Sequence, residues 1–335
     1  MIEIRSCIAR GMAALVVATA ALTCYADNFD LQREDIRRFV TRMQDEHGLD
    51  VANVEAVLAD ARRKDSILEA ISRPAEKRKP WYEYREIFLN EKRIDGGAAF
   101  WSEHAASLAQ VSRQTGVPAQ IIVAIIGVET NYGRITGRYR VLDALSTLAF
   151  DYPPRSTFFT SELEHFLLLT REEDVEVLSA LGSYAGAMGA AQFMPSSYRR
   201  YASDGDDDGQ RDLWGSWDDV FASIANYFLA HGWQPGKPAA AAAQVDAQTT
   251  PGLASTDLSP GYRLSFLRDN GVRFTTSLDD DDVGGLIPFE TADGEEHIVG
   301  FHNFYVITRY NRSRLYARSV LNLGEAIAAR VEQNH

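Results

Sequence analysis

Cysteine is nearly absent from the chain. Only two of its 335 residues are cysteines, Cys7 and Cys24, and both stand close to the N-terminus. Two cysteines cannot build a disulfide framework. Since 45% of the residues are hydrophobic, the chain can instead form a substantial apolar core, and a wholly disordered chain is excluded.

Positive charge is also scarce. The chain has 34 Lys and Arg residues against 47 Asp and Glu residues, which gives a net charge of −13. Proteins that bind nucleic acid need Lys and Arg to neutralise phosphates, so we expect no nucleic-acid partner. The length predicts about two domains.

Outside the N-terminal segment, no part of the chain is apolar enough to span a bilayer. Arg5 and Arg10 precede an apolar run over residues 11–22, which is followed by Cys24-Tyr25-Ala26. This order is typical of a secretory signal peptide, and we expect cleavage after Ala26. A buried core helix of similar length is the alternative interpretation.

Removal of residues 1–26 takes away one Glu and two Arg, so the net charge changes from −13 to −14 and no cysteine remains. Such a chain suits an oxidising compartment, and we expect a periplasmic monomer. Lipidation of Cys24 would instead produce an outer-membrane lipoprotein with peripheral membrane association. Ala21-Leu22-Thr23 is a poor lipidation signal for that outcome.

The periodicity of apolar residues predicts a mainly helical chain with a small β element, an α+β protein. We expect strands over residues 273–278, 285–289, 297–301 and 303–308, with a hairpin turn at Asp293-Gly294. The Pro-, Ala- and Thr-rich residues 236–260 indicate a linker or surface excursion, in which residues 239–243 could form a helical turn. A helical pattern extends over residues 31–72, with Asp27 and Asp50 as plausible N-caps. Further predicted helices cover residues 98–115, 119–131, 141–150, 157–170, 191–202, 218–231 and 314–332.

Glu129 ends the apolar run of residues 121–128. A helix that is hydrophobic on all sides is buried, and a carboxylate on it either pairs with a cation or has its pKa raised. A raised pKa suits a general acid. The other interpretation is a structural ion pair with Arg134 or Arg138.

Residues 182–191 are rich in Gly, Ala and Ser, which would let a ligand approach the backbone closely. Gln192 adds an amide, and Phe193 and Met194 add apolar surface, as binding sites often do. A tight turn between helices is the alternative interpretation of this segment.

These two segments together resemble the membrane-bound lytic murein transglycosylase B family. The resemblance rests on Gly127-Val128-Glu129-Thr130-Asn131-Tyr132-Gly133-Arg134, on residues 183–189 and 192–196, on residues 224–228 and 231–233, and on Thr308-Arg309-Tyr310-Asn311. It covers residues 30–333 and implies a lysozyme-like core that cleaves peptidoglycan glycan strands without an organic cofactor.

The resemblance assigns one catalytic acid and base, Glu129. It implies substrate-binding roles for Tyr84, Arg155, Ser183, Gln192, Phe193, Met194, Tyr227, Tyr310 and Asn311. Pro154 precedes Arg155 where a relative carries a second Arg, so contacts with a substrate carboxylate are expected to be weaker here.

The expected domain organisation follows from the resemblance and the composition. It comprises a signal peptide (1–26), an N-terminal helical segment (27–79), a lysozyme-like catalytic core (80–235), a linker or surface excursion (236–260), a small β-containing segment that returns to the cleft (261–312) and a C-terminal helix (313–335).

Residues 204–209 read D-G-D-D-D-G, the first half of a calcium-binding EF-hand loop. The twelfth position of such a loop is normally Glu but is Gly215 here, so we expect a later carboxylate to complete the site. The predicted ligands of a structural Ca²⁺ are Asp204, Asp206, Asp208, Gln210, Asp218 and Asp219. A solvated acidic turn is the alternative.

Three functions are compatible with these motifs. The first is a lytic transglycosylase that closes a 1,6-anhydro ring on the muramyl residue. The second is a lysozyme-type hydrolase that uses water on the same substrate. The third is a non-catalytic wall-binding protein, which would not need the acid Glu129.

Overall fold

The computed structural model describes residues 28–73, 79–173, 175–246 and 252–334. The predicted signal peptide, Cys24 and the expected N-cap Asp27 lie outside the described residues. Among the described residues, no single helix has both the length and the apolar character needed to cross a membrane. One bent pair, Ala105–Thr115 with Ala119–Thr130, meets these criteria only when both helices are counted together across a 116° bend.

The fold is mainly helical with one small antiparallel sheet, as the periodicity predicts. Its α-helices are α1 (Glu34–His47), α2 (Val51–Asp60), α3 (Asp65–Ser72), α4 (Trp81–Tyr84), α5 (Glu91–Glu103), α6 (Ala105–Thr115), α7 (Ala119–Thr130), α8 (Val141–Asp151), α9 (Ser156–Glu172), α10 (Pro195–Tyr201), α11 (Trp217–Ala230), α12 (Leu264–Asp269), α13 (His302–Tyr310) and α14 (Arg314–Gln333).

The strands are β1 (Tyr139–Arg140), β2 (Leu181–Gly182), β3 (Ala240–Val245), β4 (Tyr262–Arg263), β5 (Val272–Arg273), β6 (Val283–Thr291) and β7 (Gly294–Phe301). β1 pairs with β2, and the other five strands form an antiparallel sheet in the order β4-β6-β7-β3-β5. The predicted hairpin is present, because Thr291 pairs with Gly294 where β6 turns into β7.

The main core is built around α7, whose residues 121–126 are all buried. α14 packs against α7 and α5, and the same apolar cluster extends from Phe29 to Ile327. A smaller cluster packs side chains of the five-stranded sheet, such as Phe301, against Leu264 of α12. The core therefore holds α7 between elements from distant parts of the chain.

Three predictions about the β element are wrong. Of the strand predicted over residues 273–278, only Arg273 lies in a strand, β5. Residues 303–308 belong to helix α13, where Phe304 and Ile307 are buried at helical spacing. Residues 240–245 form strand β3 inside the sheet rather than a linker or a helical turn. Their alanines favour a helix locally, so pairing with β7 overrides that preference.

One expected helix start is confirmed and one helix boundary is corrected. The helical pattern of residues 31–72 forms three helices, and α2 begins after the expected N-cap Asp50, whose side chain accepts a hydrogen bond from the Asn53 amide at 2.9 Å. The helix predicted over residues 191–202 is only α10, because Gln192 has a φ of +52° and Pro195 starts the helix.

Candidate active site

Glu129 lies in the last turn of α7 and is half-buried. The helix ends at Asn131, which has left-handed backbone dihedral angles of φ 51° and ψ 50°. The neighbouring Thr130 donates a hydrogen bond to the Ala190 carbonyl at 3.2 Å and accepts one from the Gly133 amide at 3.1 Å. The small-residue segment is therefore tied to the helix end that carries Glu129.

Tyr316 is a site residue that the sequence did not predict. Its hydroxyl donates a hydrogen bond to Oε1 of Glu129 at 2.6 Å, and the two residues are 187 positions apart. Burial, and next the charge of Glu129, raise the pKa of Tyr316 well above its usual value. The phenol therefore stays protonated and donates a hydrogen bond to the carboxylate. The only sequence signal was its position in the helix that follows Asn311.

Two further tyrosines lie near this pair. Tyr310 has its pKa raised by burial and then by the charge of Glu129, and its hydroxyl donates to the Ala191 carbonyl at 2.7 Å. Tyr84 is buried in α4 and interacts electrostatically with Tyr316. The structure thus brings the predicted residues Tyr84 and Tyr310 together with Glu129.

The segment from Ser183 to Gln192 forms a tight loop beside α7. The Ser183 hydroxyl accepts hydrogen bonds from the amides of Ala185 (3.3 Å) and Ala187 (3.0 Å), which leaves its own proton for a ligand. Gln192 donates from Nε2 to the carbonyls of Thr136 and Gly189, at 3.0 and 2.9 Å. Among the described residues no group donates to its Oε1, so the loop offers one donor and one acceptor.

Close backbone approach underlies this loop. Gly137 has a φ of +108°, and a Cβ at this position would lie 2.0 Å from the Gly182 carbonyl. Only glycine is compatible with both the positive φ and this close approach. Gly137 therefore allows β1 to pair with β2 immediately before Ser183.

Aromatic rings form the wall next to the loop. Phe193 is buried, and its ring lies 5.5 Å from that of Tyr227 and 5.8 Å from that of Tyr310. The Tyr227 hydroxyl donates to the Arg309 carbonyl at 2.6 Å, and burial raises the pKa of Tyr227 to about 12. Met194 is half-buried and directly precedes α10. These side chains offer apolar surface more than hydrogen bonds.

Arg155 and Asn311 are both exposed. The Arg155 guanidinium lies over the rings of Phe158 and Phe159, at 4.4 and 5.0 Å from their centroids. Within the described residues, Arg155 makes no hydrogen bond or ion pair with Glu129 or Tyr316. Asn311 follows the end of α13 and accepts a hydrogen bond from the Ser313 amide through its backbone carbonyl.

The acidic loop, residues 204–219, brings three of its six predicted ligands together. Carboxylate oxygens of Asp204, Asp206 and Asp219 lie within 4.8 Å of one another. Asp208 and Gln210 are exposed, and the Asp208 carboxylate accepts a hydrogen bond from the Gln210 amide at 2.8 Å. Asp218 presents its backbone carbonyl to Gly205.

Asp219 is the buried member of this group, with 1% of its surface exposed. Its carboxylate accepts hydrogen bonds from the amides of Gly205 (2.7 Å) and Asp212 (2.6 Å). Burial raises the pKa of Asp219, and the charges of Asp206 and Asp204 raise it further. Three carboxylates that repel one another at a partly buried position fit a bound cation.

Comparison with known proteins agrees with this geometry. The model of the transglycosylase SLT domain family matches residues 31–325. The chain belongs to this family. Membrane-bound lytic murein transglycosylase B from Escherichia coli is 40% identical over 306 residues, which are 88% of this chain and 83% of that protein.

Two solved structures are also similar to this one. Soluble lytic transglycosylase SltB1 from Pseudomonas aeruginosa has a TM-score of 0.84 and 48% identity, over 88% of this chain and 98% of that chain. Escherichia coli lytic transglycosylase Slt35 in complex with calcium has a TM-score of 0.83 and 38% identity, over 91% and 96%. The expected lysozyme-like, mainly helical fold and the enzymatic class, a lytic transglycosylase, are confirmed.

Proposed function

We propose that this chain cleaves the β-1,4 bond between N-acetylmuramic acid and N-acetylglucosamine in peptidoglycan and leaves a 1,6-anhydromuramyl end. The observation that carries the proposal is the half-buried Glu129, held by the Tyr316 hydroxyl at 2.6 Å beside a loop with one available donor and one available acceptor. Membership of the lytic transglycosylase family supports the substrate class.

Glu129 acts twice in this mechanism. Protonated, it gives its proton to the glycosidic oxygen while the bond to the muramyl carbon breaks. The substrate's 2-acetamido group stabilises the developing positive charge. Glu129, now a carboxylate, removes the proton from the muramyl 6-hydroxyl, whose oxygen closes the 1,6-anhydro ring. Most glycosidases need two carboxylates, but one suffices here because the substrate provides the nucleophile.

Tyr316 is a positioning residue for both steps. Its hydrogen bond fixes Oε1 of Glu129 and stabilises the charged carboxylate that the second step requires. Ser183 is placed to donate to a substrate oxygen, and the free Oε1 of Gln192 to accept from a hydroxyl or acetamido N–H group. The rings of Phe193, Tyr227 and Tyr310, with Met194, provide an apolar wall for the sugars. Tyr84, in α4, lies near Tyr316.

Arg155 and Asn311 complete the proposed substrate-binding set from the exposed rim. Arg155 carries a charge that can meet the muramyl or stem-peptide carboxylate, and its contact with Phe158 and Phe159 holds it in place. Glycan strands of peptidoglycan are the proposed partner, and no nucleic acid is expected at a net charge of −13.

Product analysis on purified sacculi tests this proposal. We expect anhydromuramyl products from the wild type and, at equal times, about a hundredth of that amount or less from Glu129→Gln. Reducing-end products heavier by one water would identify a hydrolase instead. An inactive wild type that still binds sacculi would favour the wall-binding alternative. A Glu129→Gln variant with an activity near that of the wild type would refute the catalytic assignment.

We also propose that the acidic loop binds a structural Ca²⁺. Asp204, Asp206 and Asp219 are the side chains that would hold it, with Asp208, Gln210 and Asp218 as further ligands from the same loop. A bound cation would offset the repulsion among these carboxylates and so stabilise the fold. The calcium complex of the Escherichia coli relative supports this assignment. We propose no organic cofactor.

The working location is proposed to be the periplasm. This rests on the predicted signal peptide and on the membrane-bound relative. Mass spectrometry of the mature chain tests it: a start at Asp27 supports a periplasmic protein, whereas a lipid-modified Cys24 would indicate an outer-membrane lipoprotein.

A further inference from the structure

A cavity of about 410 Å³ lies beside the acidic loop. One wall comes from the segment that follows α9, and the other from the end of the acidic loop. Its lining includes Glu176, Ser179, Leu181, Gln210, Arg211 and Trp214. A volume in this range is typical of small-molecule sites, and nothing in the proposed mechanism uses it.

Trp214 provides an aromatic surface in this cavity. Its indole Nε1 donates to the Leu181 carbonyl at 3.0 Å, and its ring lies 5.8 Å from that of Tyr198. The polar edge of the indole is therefore already bonded within the protein. What the ring offers to a ligand is an apolar surface, against which the apolar face of a sugar can stack.

The polar lining disfavours an anionic ligand. Arg211 donates from Nε to Glu173 at 2.7 Å, so the cation among the lining residues is already neutralised. Ser179, Glu176 and Gln210 are exposed, and their side chains make no hydrogen bond to any residue that the structure describes. A hydroxyl, a carboxylate and an amide without an unpaired cation suit a sugar better than an anionic peptide.

The chain segments that line this cavity adjoin the loop beside Glu129. Leu181 in its wall precedes Ser183 by two residues, about 7 Å along an extended chain. The Leu213 carbonyl, next to Trp214, accepts a hydrogen bond from the Ala190 amide at 2.8 Å. Both walls of the cavity are thus fixed to the segment that carries Ser183 and Gln192.

We propose that this cavity is an outer subsite that binds an N-acetylhexosamine residue of the same glycan strand whose scissile bond lies at Glu129. The inference rests on the proposed function. In this proposal the end of the acidic loop helps to bind long glycan strands. The Asp219 carboxylate accepts a hydrogen bond from the Asp212 amide, and the Asp212 carboxylate accepts one from the Trp214 amide at 2.8 Å, so the loop holds Trp214 in position.

Two variants test the subsite without touching Glu129. Trp214→Ala removes the ring, whereas Trp214→Phe keeps an aromatic face and should rescue binding. Ser179→Trp fills the cavity from an exposed position. Phe266→Ala, which removes an exposed aromatic ring from helix α12, is the matched control.

We expect Trp214→Ala and Ser179→Trp to raise KM for long glycan strands about three- to tenfold, the range of one aromatic contact. kcat on a disaccharide-length fragment should not change. In the Glu129→Gln background, calorimetric affinity for N-acetylglucosamine oligomers should fall by the same factor, with Trp214→Phe and Phe266→Ala close to the parent.

Equal KM and equal oligomer affinity in all variants would overturn the subsite while leaving the proposed reaction intact. Tighter binding of a stem peptide than of the sugar oligomer, lost in Ser179→Trp, would replace the sugar by a peptide and also overturn it. An inactive wild type would instead refute the proposed function, and the oligomer affinities would still report on the cavity.

Discussion

The Glu129 site and the acidic loop are assembled over very different sequence distances. Glu129 and Tyr316 meet at 2.6 Å although 187 residues separate them. The three clustered carboxylates of the acidic loop all come from residues 204–219. Packing of α14 against α7 creates the first site, and local turns create the second. Changes in the first should therefore affect chemistry, and changes in the second should affect stability.

The largest effect is expected for a change at Glu129, which should lower activity without lowering stability. Glu129→Gln removes the proton donor and should lower kcat about 10²- to 10⁴-fold, the usual contribution of general acid–base catalysis. The melting temperature should stay close to that of the wild type, because the residue keeps its size and its neighbours. Steady-state turnover and calorimetry measure the two quantities. A large loss of stability would show that Glu129 is mainly a structural residue.

Tyr316→Phe should lower kcat about tenfold through looser positioning of Glu129. It also removes a hydrogen bond to the charged carboxylate, so the pKa of Glu129 should rise. Because the first step needs protonated Glu129, the alkaline limb of the kcat/KM profile should move to higher pH. Tyr305→Phe is the matched control, a buried tyrosine whose pKa is raised by burial and then by Asp257 rather than by Glu129. An unshifted limb would contradict the positioning role.

Asp219→Ala tests the acidic loop. It leaves the amides of Gly205 and Asp212 without their acceptor, which should cost about 2–4 kcal/mol of unfolding free energy. Any rise in melting temperature on adding Ca²⁺ should disappear, while kcat on a short fragment changes little. Thermal melts in Ca²⁺ and in EDTA measure this. Equal melting temperatures of the wild type in both solutions would refute the calcium site.

The smallest effect is expected for Asp208→Asn. Asp208 is exposed and lies outside the cluster of three carboxylates, and an amide oxygen can still accept from Gln210. The free energy of unfolding should change by less than about 0.5 kcal/mol, and the response to Ca²⁺ should be reduced but retained. Complete loss of the Ca²⁺ response would show that Asp208 is an essential ligand.

Much of the helical fold is predictable because burial leaves a periodic pattern. The buried helix with Glu129 at its end, the α14 helix and the hairpin at Asp293-Gly294 all follow from such patterns. The strand β3 and the helix α13 do not, because their local preferences are weak or opposite and the neighbouring elements decide their conformation.

The candidate site shows the same division. Glu129, Ser183 and Gln192 stand in short motifs, whereas the hydrogen bond from Tyr316 has no local signature. The sequence also does not predict the hydrogen-bond partners of the Tyr227 and Tyr310 hydroxyls. In the structure, both hydroxyls donate hydrogen bonds to backbone carbonyls.

By itself, the sequence determined the composition of the core, the family motifs and the acidic loop, since each is encoded in residues close together along the chain. The tertiary structure alone decided that Tyr316 holds Glu129, that Asp204, Asp206 and Asp219 converge, and that Trp214 faces a cavity. These facts depend on where helices and loops pack, and packing is a property of the whole core rather than of any segment.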